Sequence, residues 1–243
     1  MSQIFVTFFY QPILNLLVFL YNTFGDLGVA IIFLTIIVKL ILLPLSKKSI
    51  KSQKALQNLQ PKINELKAKY KDDKQGMSVA LMALYKENKV NPFSSCLPLL
   101  IQLPFFFAIF RVFRDGFAQD HLELLYPFIS NPEIINSFTF GLFDLSKVNP
   151  VLAVLAGLAQ FWQGKMMHTK KPKIKSEGSK DENMLAIMNK QMLYIMPVVT
   201  VFIGLSFPAG LTLYWFLTTL FTAIQQKIMF RSEIKENIVK VIS

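Results

Sequence analysis

Charge, cysteine and histidine are all scarce in this 243-residue sequence, and each shortage narrows what the protein can do. Only 17% of the residues are charged and 53% are hydrophobic, which is too little charge to cover a soluble domain of this length. The single cysteine, Cys96, excludes an intramolecular disulfide. His121 and His168 stand alone, without a second ligand at metal-binding spacing. We therefore expect no metal and no cofactor.

Motifs of covalent catalysis are also missing. The sequence contains no glycine-rich phosphate loop and no Gly-x-Ser-x-Gly motif. The net charge of +11 first suggests a nucleic-acid ligand, but no aromatic-and-basic RNA motif or recognition helix accompanies it. We predict a protein that is not an enzyme and that binds no specific nucleic acid.

Long apolar runs are abundant, and several approach the roughly 20 residues that cross a bilayer. We predict an all-α integral membrane protein: a five-helix transmembrane bundle with a cytoplasmic helical hairpin and an N-terminal interfacial helix. Gln11, Pro12 and Asn15 interrupt the first apolar run, which favours an interfacial helix there over a further span. The predicted segments are an extracytoplasmic interfacial helix (1–26), TM1 (27–45), the cytoplasmic hairpin (46–92), TM2 (93–114), an extracytoplasmic loop (115–147), TM3 (148–168), a flexible cytoplasmic loop (169–187), TM4 (188–206), TM5 (207–230) and a cytoplasmic tail (231–243).

The lysine distribution sets the orientation of these segments. Eleven lysines and four acidic residues fall within 46–92, whereas 115–147 holds five acidic residues and one lysine. Because basic residues concentrate in cytoplasmic loops, five spans place the N-terminus outside and the C-terminus in the cytoplasm. Arg111 and Arg114 oppose the trend, but both can snorkel to the interface. In the hairpin, Pro61 is expected to begin or kink the first helix.

Lys39 is a cation surrounded by apolar residues inside TM1. It lies on the order of 9 Å from the cytoplasmic end of its helix, at about 1.5 Å per residue. A lysine at the centre of a span costs roughly 2.5–3.5 kcal/mol. Its side chain either snorkels to headgroups or faces a water-filled cavity within the bundle. Polar residues on several helices favour the cavity, although each alone is more often interhelical glue: Thr35, Gln102, Gln160, Gln163, Thr212, Trp215, Thr219, Thr222 and Gln226.

Three segments resemble the YidC/Oxa/Alb family of membrane protein insertases. Residues 91–106, NPFSSCLPLLIQLPFF, are similar to the family motif that opens its second core helix. Residues 207–215, FPAGLTLYW, followed by the glutamines at 225 and 226, resemble its last helix. Residues 59–63, LQPKI, with YKDD at 70–73, are similar to its cytoplasmic hairpin. The order and spacing of these segments agree with the family over nearly the whole chain.

The resemblance implies a hydrophilic groove open to the cytoplasm and lipid, through which client transmembrane segments are inserted and folded. Lys39 occupies the position of a cation that is usually arginine in the family, and it keeps the charge without the planar fork. Tyr214 and Trp215 match groove-lining aromatics, and Gln160 or Gln163 matches a polar groove residue. The residues implied for the groove are Lys39, Thr35, Gln102, Gln160, Gln163, Tyr214, Trp215 and Thr219, and those for a partner-binding hairpin are Lys62, Lys67, Tyr70, Asp72 and Asp73.

The partners implied are nascent membrane proteins and the lipid bilayer, with the Sec translocon, the ribosome and the signal-recognition receptor as further candidates. The sequence shows neither a large extracytoplasmic domain nor a lipid-anchor cysteine, so a minimal core form in a bacterial plasma membrane is expected. One alternative is a small-solute transporter or channel, which predicts inverted repeats that the sequence does not show. Another is a scaffold that assembles helices without inserting them, which should tolerate a neutral residue at Lys39.

Overall fold

The computed structural model describes residues 3–70, 73–91, 97–114, 123–132, 134–167 and 193–242, and only the backbone at 98, 99 and 232–242. These ranges are mainly helical, with one small antiparallel β-hairpin. The helices are α1 (Gln3–Phe24, with a π-helical turn at Val6–Tyr10), α2 (Leu27–Ile41), α3 (Leu43–Lys69), α4 (Lys74–Glu87), α5 (Leu97–Arg114), α6 (Pro150–Met167), α7 (Leu193–Gly204) and α8 (Ala209–Ile242); the strands are β1 (Phe138–Thr139) and β2 (Phe143–Asp144).

Length and apolar composition alone single out few spanning helices among the described residues. Only α1 is by itself long and apolar enough to cross a membrane, and the bent pair of α2 and α3 passes the same test as one broken span. Helix α7 is apolar but shorter.

The first core helix ends four residues before the predicted boundary at residue 45. Helix α2 ends at Ile41, and the chain bends by 68° into α3. Pro44 stands in the first turn of α3, where its missing N–H costs nothing and its fixed φ suits a new helix. Helix α3 then continues through Pro61, which the sequence predicted to begin or kink it.

Helix α1 is fixed to the loop before the β-hairpin through its polar residues. Asn15 is 1% exposed; its Nδ2 donates to the Leu124 carbonyl at 3.0 Å, and its Oδ1 accepts from the Tyr126 amide at 2.6 Å. Gln11 also donates to Leu124, at 3.1 Å. The apolar face of α1 packs on α2 and α5 in a core that includes Leu14, Leu17, Val18, Leu27, Ile31, Leu34, Ile109 and Val112. The residues that interrupt the apolar run thus bind a loop.

Asp26 joins the start of α2 to the β-hairpin. Its carboxylate caps the helix by accepting from the Val29 amide at 3.0 Å, as an N-cap aspartate commonly does. The same carboxylate accepts from the Thr139 hydroxyl at 2.5 Å and the Phe140 amide at 2.7 Å. Gly28 leaves the space that Thr139 fills. The β-hairpin is therefore held against the N-terminal end of α2.

Small residues let α6, α7 and α8 approach one another closely. A Cβ added to Gly157 on α6 would lie 2.9 Å from the Pro197 carbonyl oxygen on α7, and one on Gly204 would lie 2.9 Å from Ala153 Cβ. Such contacts are typical of helix packing in membranes, where small residues bring backbones together. Helix α8 continues to Ile242, through the segment that the sequence predicted to be a tail.

Candidate functional site

Lys39 reaches across the bundle from α2 to α8. Its Nζ donates a hydrogen bond to Thr222 Oγ1 at 2.8 Å, and that hydroxyl in turn donates to the Thr218 carbonyl at 2.8 Å. In the described part of the chain no carboxylate pairs with Lys39. The half-buried ammonium is thus held by a neutral hydroxyl, which leaves its charge available to another group.

A row of polar side chains on α8 leads from Lys39 toward α3. Thr219 and Gln226 are 7% and 2% exposed, and Gln226 Nε2 donates to Gln53 Oε1 on α3 at 3.3 Å. Gln226 Oε1 is buried without a hydrogen-bond partner among the described residues. Buried polar groups normally have partners, so this row suits water or a polar guest. We call Lys39, Thr222, Thr219, Gln226 and Gln53 the polar row.

Thr35, which the sequence placed with Lys39, does not extend this row. It is fully buried, and its hydroxyl donates to the Ile31 carbonyl of its own helix at 2.7 Å. Because its hydroxyl is already donating, Thr35 contributes chiefly a small buried surface one turn before Lys39.

Gln102 and the aromatic pair of α8 form a second contact between helices. Gln102 Nε2 donates to the buried Tyr214 hydroxyl. The Trp215 ring packs edge-on against Phe106 of α5, with ring centroids 5.8 Å apart. The structure therefore brings these three predicted residues together between α5 and α8, where an aromatic surface adjoins a hydrogen-bonded amide.

The glutamines of α6 have surroundings different from those of Lys39. Gln160 Oε1 accepts from the Thr200 hydroxyl, which ties α6 to α7. Gln163 is half-buried one turn further along α6. Neither glutamine has a hydrogen bond to Lys39 in the described part of the chain. Gln160 thus forms an interhelical contact, as polar residues in spanning helices often do.

The hairpin of α3 and α4 contains four of its five predicted site residues. Lys62 is exposed, and half-burial lowers the pKa of Lys67 from its ordinary value. Tyr70 is the C-cap of α3, and Asp73 caps α4 by accepting from the Gly76 amide at 2.8 Å. Asp72 lies outside the described residues. Asp73 and Tyr70 therefore shape the ends of the helices, whereas Lys62 is available to solvent.

The sequence reasoning missed the glutamines of α3. Gln53 meets Gln226, and Gln57 Nε2 donates to the Met166 carbonyl at the end of α6 at 3.4 Å. Gln53, Gln57 and Gln60 step by four and three, so they occupy one face of a helix. This spacing could have indicated a polar helix face that contacts other helices. The many lysines of the same segment made it inconspicuous.

Buried polar side chains between apolar helices define a class: helical membrane proteins with a polar interior. The sequence profile of the family described as "60Kd inner membrane protein" matches residues 19–237. The chain belongs to the 60Kd inner membrane protein family, which confirms the resemblance seen in the sequence and places the chain in a membrane.

Several curated relatives carry the name "Membrane protein insertase YidC". One from Fusobacterium nucleatum is 36% identical over 225 residues, covering 91% of this chain and 96% of the relative. One from Citrifermentans bemidjiense is 37% identical over 218 residues, 89% of this chain but only 35% of the relative. The chain thus spans about a third of some of the relatives it matches and nearly all of another.

A solved structure, "Active YidC insertase crystal structure with the first transmembrane domain resolved", is similar in fold and sequence. It is 28% identical with a TM-score of 0.57, and the match covers 94% of this chain and 47% of that one. The described helices therefore follow the arrangement of a known insertase over most of their length.

Proposed function

We propose that this chain is a membrane protein insertase that moves client transmembrane segments into the bilayer, and that the polar row receives the client's polar end. The observation that carries the proposal is the position of Lys39, a half-buried cation whose partner in the described part of the chain is the neutral Thr222 hydroxyl. The relatives' name, the family match and the similar fold support the same activity.

The proposed topology has five spans, formed by α2, α5, α6, α7 and α8, with the N-terminus outside and the C-terminus in the cytoplasm. Helix α1, although long and apolar enough to cross a membrane, then lies at the outer interface. Its hydrogen bonds to the loop at 124–126 support this placement, because that loop has the low lysine content of the outer side. Helices α3 and α4 form the cytoplasmic hairpin.

In the proposed mechanism, an acidic residue of the client enters the polar row and approaches Lys39. Two opposite charges 4 Å apart attract by about 4 kcal/mol at an effective dielectric constant of 20. That attraction is comparable to the roughly 2.5–3.5 kcal/mol that a lone charge costs at the centre of a span. The client's apolar segment meanwhile partitions into lipid, and the membrane potential adds to the driving force for charged tails.

The cytoplasmic hairpin is proposed to contact partners through Lys62 and its lysine-rich neighbours. The Sec translocon, the ribosome and the signal-recognition receptor are the candidates. Exposed Lys62 supports a charged docking surface, whereas the capping role of Asp73 supports a structural role for the turn.

Insertion of a single-span client with an acidic N-terminal tail, into proteoliposomes that contain only this protein, tests the proposal. Lys39→Arg should retain activity, and Lys39→Ala and Lys39→Glu should lose it. Lys86→Ala, at an exposed position of α4, is the matched control and should insert normally. Thr222→Val removes the hydroxyl that holds Lys39 and should reduce insertion without removing the charge.

Two outcomes would contradict the proposal in different ways. Equal activity of all four residues at position 39 would remove Lys39 from the mechanism. Activity only when the Sec translocon is added would instead indicate a chaperone that acts after delivery.

A further inference from the structure

The tip of the β-hairpin exposes large apolar side chains. Phe140 and Leu142 are 64% and 76% exposed, with Phe138 and Phe143 beside them, and residues 138–143 contain no charge. A contiguous apolar set of this kind commonly marks an interaction surface. The loop places its charges just beyond the tip, where Lys147 pairs with Asp144 at 3.1 Å.

The backbone at the tip holds an aromatic ring where a bulky residue is disfavoured. Phe140 and Gly141 have φ values of 50° and 67°, and the Leu142 amide closes the turn by donating to the Thr139 carbonyl at 3.0 Å. Asparagine and glycine suit such positions, whereas a phenylalanine there is strained. A strained residue persists because the surrounding structure holds it, and such residues concentrate at functional positions.

The anchoring of the hairpin sets its position along α2. Thr139 is buried against Gly28, and Thr139 and Phe140 both donate to Asp26, the N-cap of α2. The tip therefore lies beside the N-terminal end of a proposed span, where the hydrocarbon core gives way to headgroups.

Exposed apolar side chains also stand on the segments that flank the β-hairpin. The exposed rings of Phe24 and Phe33 stack with centroids 4.5 Å apart, on either side of Asp26 in the chain. Val148 and Val151, at the start of α6, are exposed as well. In a membrane protein such side chains face lipid, and aromatic and aliphatic groups bury well at the boundary between headgroups and acyl chains.

We propose that residues 138–143 insert into the interfacial region of the lipid bilayer as an anchor beside the outer end of α2. The occupant is lipid: the tip has no charge for a charged partner, and exposed apolar side chains also stand on the segments next to it in the fold, at the start of α2 and of α6. The choice of the outer leaflet rests on the proposed topology, but the insertion itself requires only that the end of α2 lies at a membrane surface.

A nitroxide spin label at Leu142→Cys, in a Cys96→Ser background and in proteoliposomes, tests the proposal. The accessibilities to oxygen, which concentrates in lipid, and to a water-soluble nickel chelate are measured. Leu158→Cys, 59% exposed on α6, is the lipid reference, and Lys86→Cys is the water reference. The expected oxygen-to-nickel ratio at position 142 is several-fold above that at position 86.

Two results would overturn the proposal. A ratio equal to that at position 86 would place the tip in water, and low accessibility to both reagents would indicate protein contact, such as a second copy of the chain. Asp26→Ala should shift position 142 toward the water value, and an unchanged ratio would refute the anchoring by Asp26. None of these readings depends on insertion activity, so failure here is distinguishable from failure of the proposed function.

Discussion

Replacing Asp26 by alanine removes the hydrogen bonds that its carboxylate accepts from the Val29 amide, the Thr139 hydroxyl and the Phe140 amide. Loss of the N-cap costs about 1 kcal/mol. Loss of the two hairpin bonds costs about 1 kcal/mol each, because the carboxylate is partly exposed and water can replace it. We expect a total of about 2–3 kcal/mol, of which about 2 kcal/mol falls on the hairpin.

Hydrogen exchange of the Phe140 amide measures this local loss directly. A change of about 2 kcal/mol in the opening free energy corresponds to roughly 30-fold faster exchange. Glu123→Gln, at an exposed carboxylate of the same outer region, is the control and should leave the exchange rate unchanged. Equal protection of Phe140 in Asp26→Ala and in the unaltered protein would refute the assigned role of the carboxylate.

The same carboxylate makes the hairpin sensitive to acid. Burial raises the pKa of Asp26, but hydrogen bonds from Thr139 and from the amides of Phe140, Val29 and Gly28 lower it by more, so the net pKa lies below its ordinary value. A lowered folded-state pKa adds stability that is fully present above the unfolded-state pKa. Protection of Phe140 should therefore hold above about pH 4 and fall as acid protonates the carboxylate. Asp26→Asn keeps the cap and should reduce this pH dependence to the part that comes from Asp144, whose pKa is also lowered, chiefly by a hydrogen bond from Ser146.

Three further substitutions test the packing of the helices and the strain of the tip. Asn15→Leu leaves the partly buried Tyr126 amide without its acceptor and should lower stability by about 1–3 kcal/mol, seen as a lower Tm in detergent. Gly157→Ala brings a Cβ within 2.9 Å of the Pro197 carbonyl oxygen and should lower the Tm more than Gly164→Ala, whose nearest neighbour is a leucine methyl group at 3.3 Å. Phe140→Asn relieves a left-handed backbone and should protect the hairpin amides by about 1 kcal/mol, while lowering the oxygen-to-nickel ratio at the labelled tip.

The predicted helices follow from the apolar runs and their interruptions. The boundary near 45 differs because Pro44 begins a new helix and does not end the old one. The effect of Pro61 could not be predicted from the sequence. A proline within a helical pattern can begin, kink or simply lie inside a helix, and the packing around it decides which. The predicted TM4 (188–206) contains α7 (Leu193–Gly204), and its first five residues lie outside the described ranges.

The residues of the candidate site could be predicted from the sequence, but their hydrogen-bond partners could not. Lys39 is conspicuous in the sequence because a charge among apolar residues is costly. Its partner Thr222 lies 183 residues away, and Gln102 meets Tyr214 from 112 residues away. Gln160 belonged to the same predicted set but bonds Thr200 on α7, because the rotation of α6 about its axis directs that side chain toward its neighbour.

The sequence by itself determined that the chain is helical, apolar enough for a membrane and similar to a family of insertases. Those properties depend on composition and on periodicity within single segments. Only the tertiary structure decided that the polar residues of α1 bind the loop at 124–126, that Asp26 holds the β-hairpin, and that Gln226 meets Gln53. Each of these contacts joins residues more than 100 positions apart. Local sequence preferences do not distinguish such a pair from many other possible pairs, and only the packing of several helices together decides which one forms.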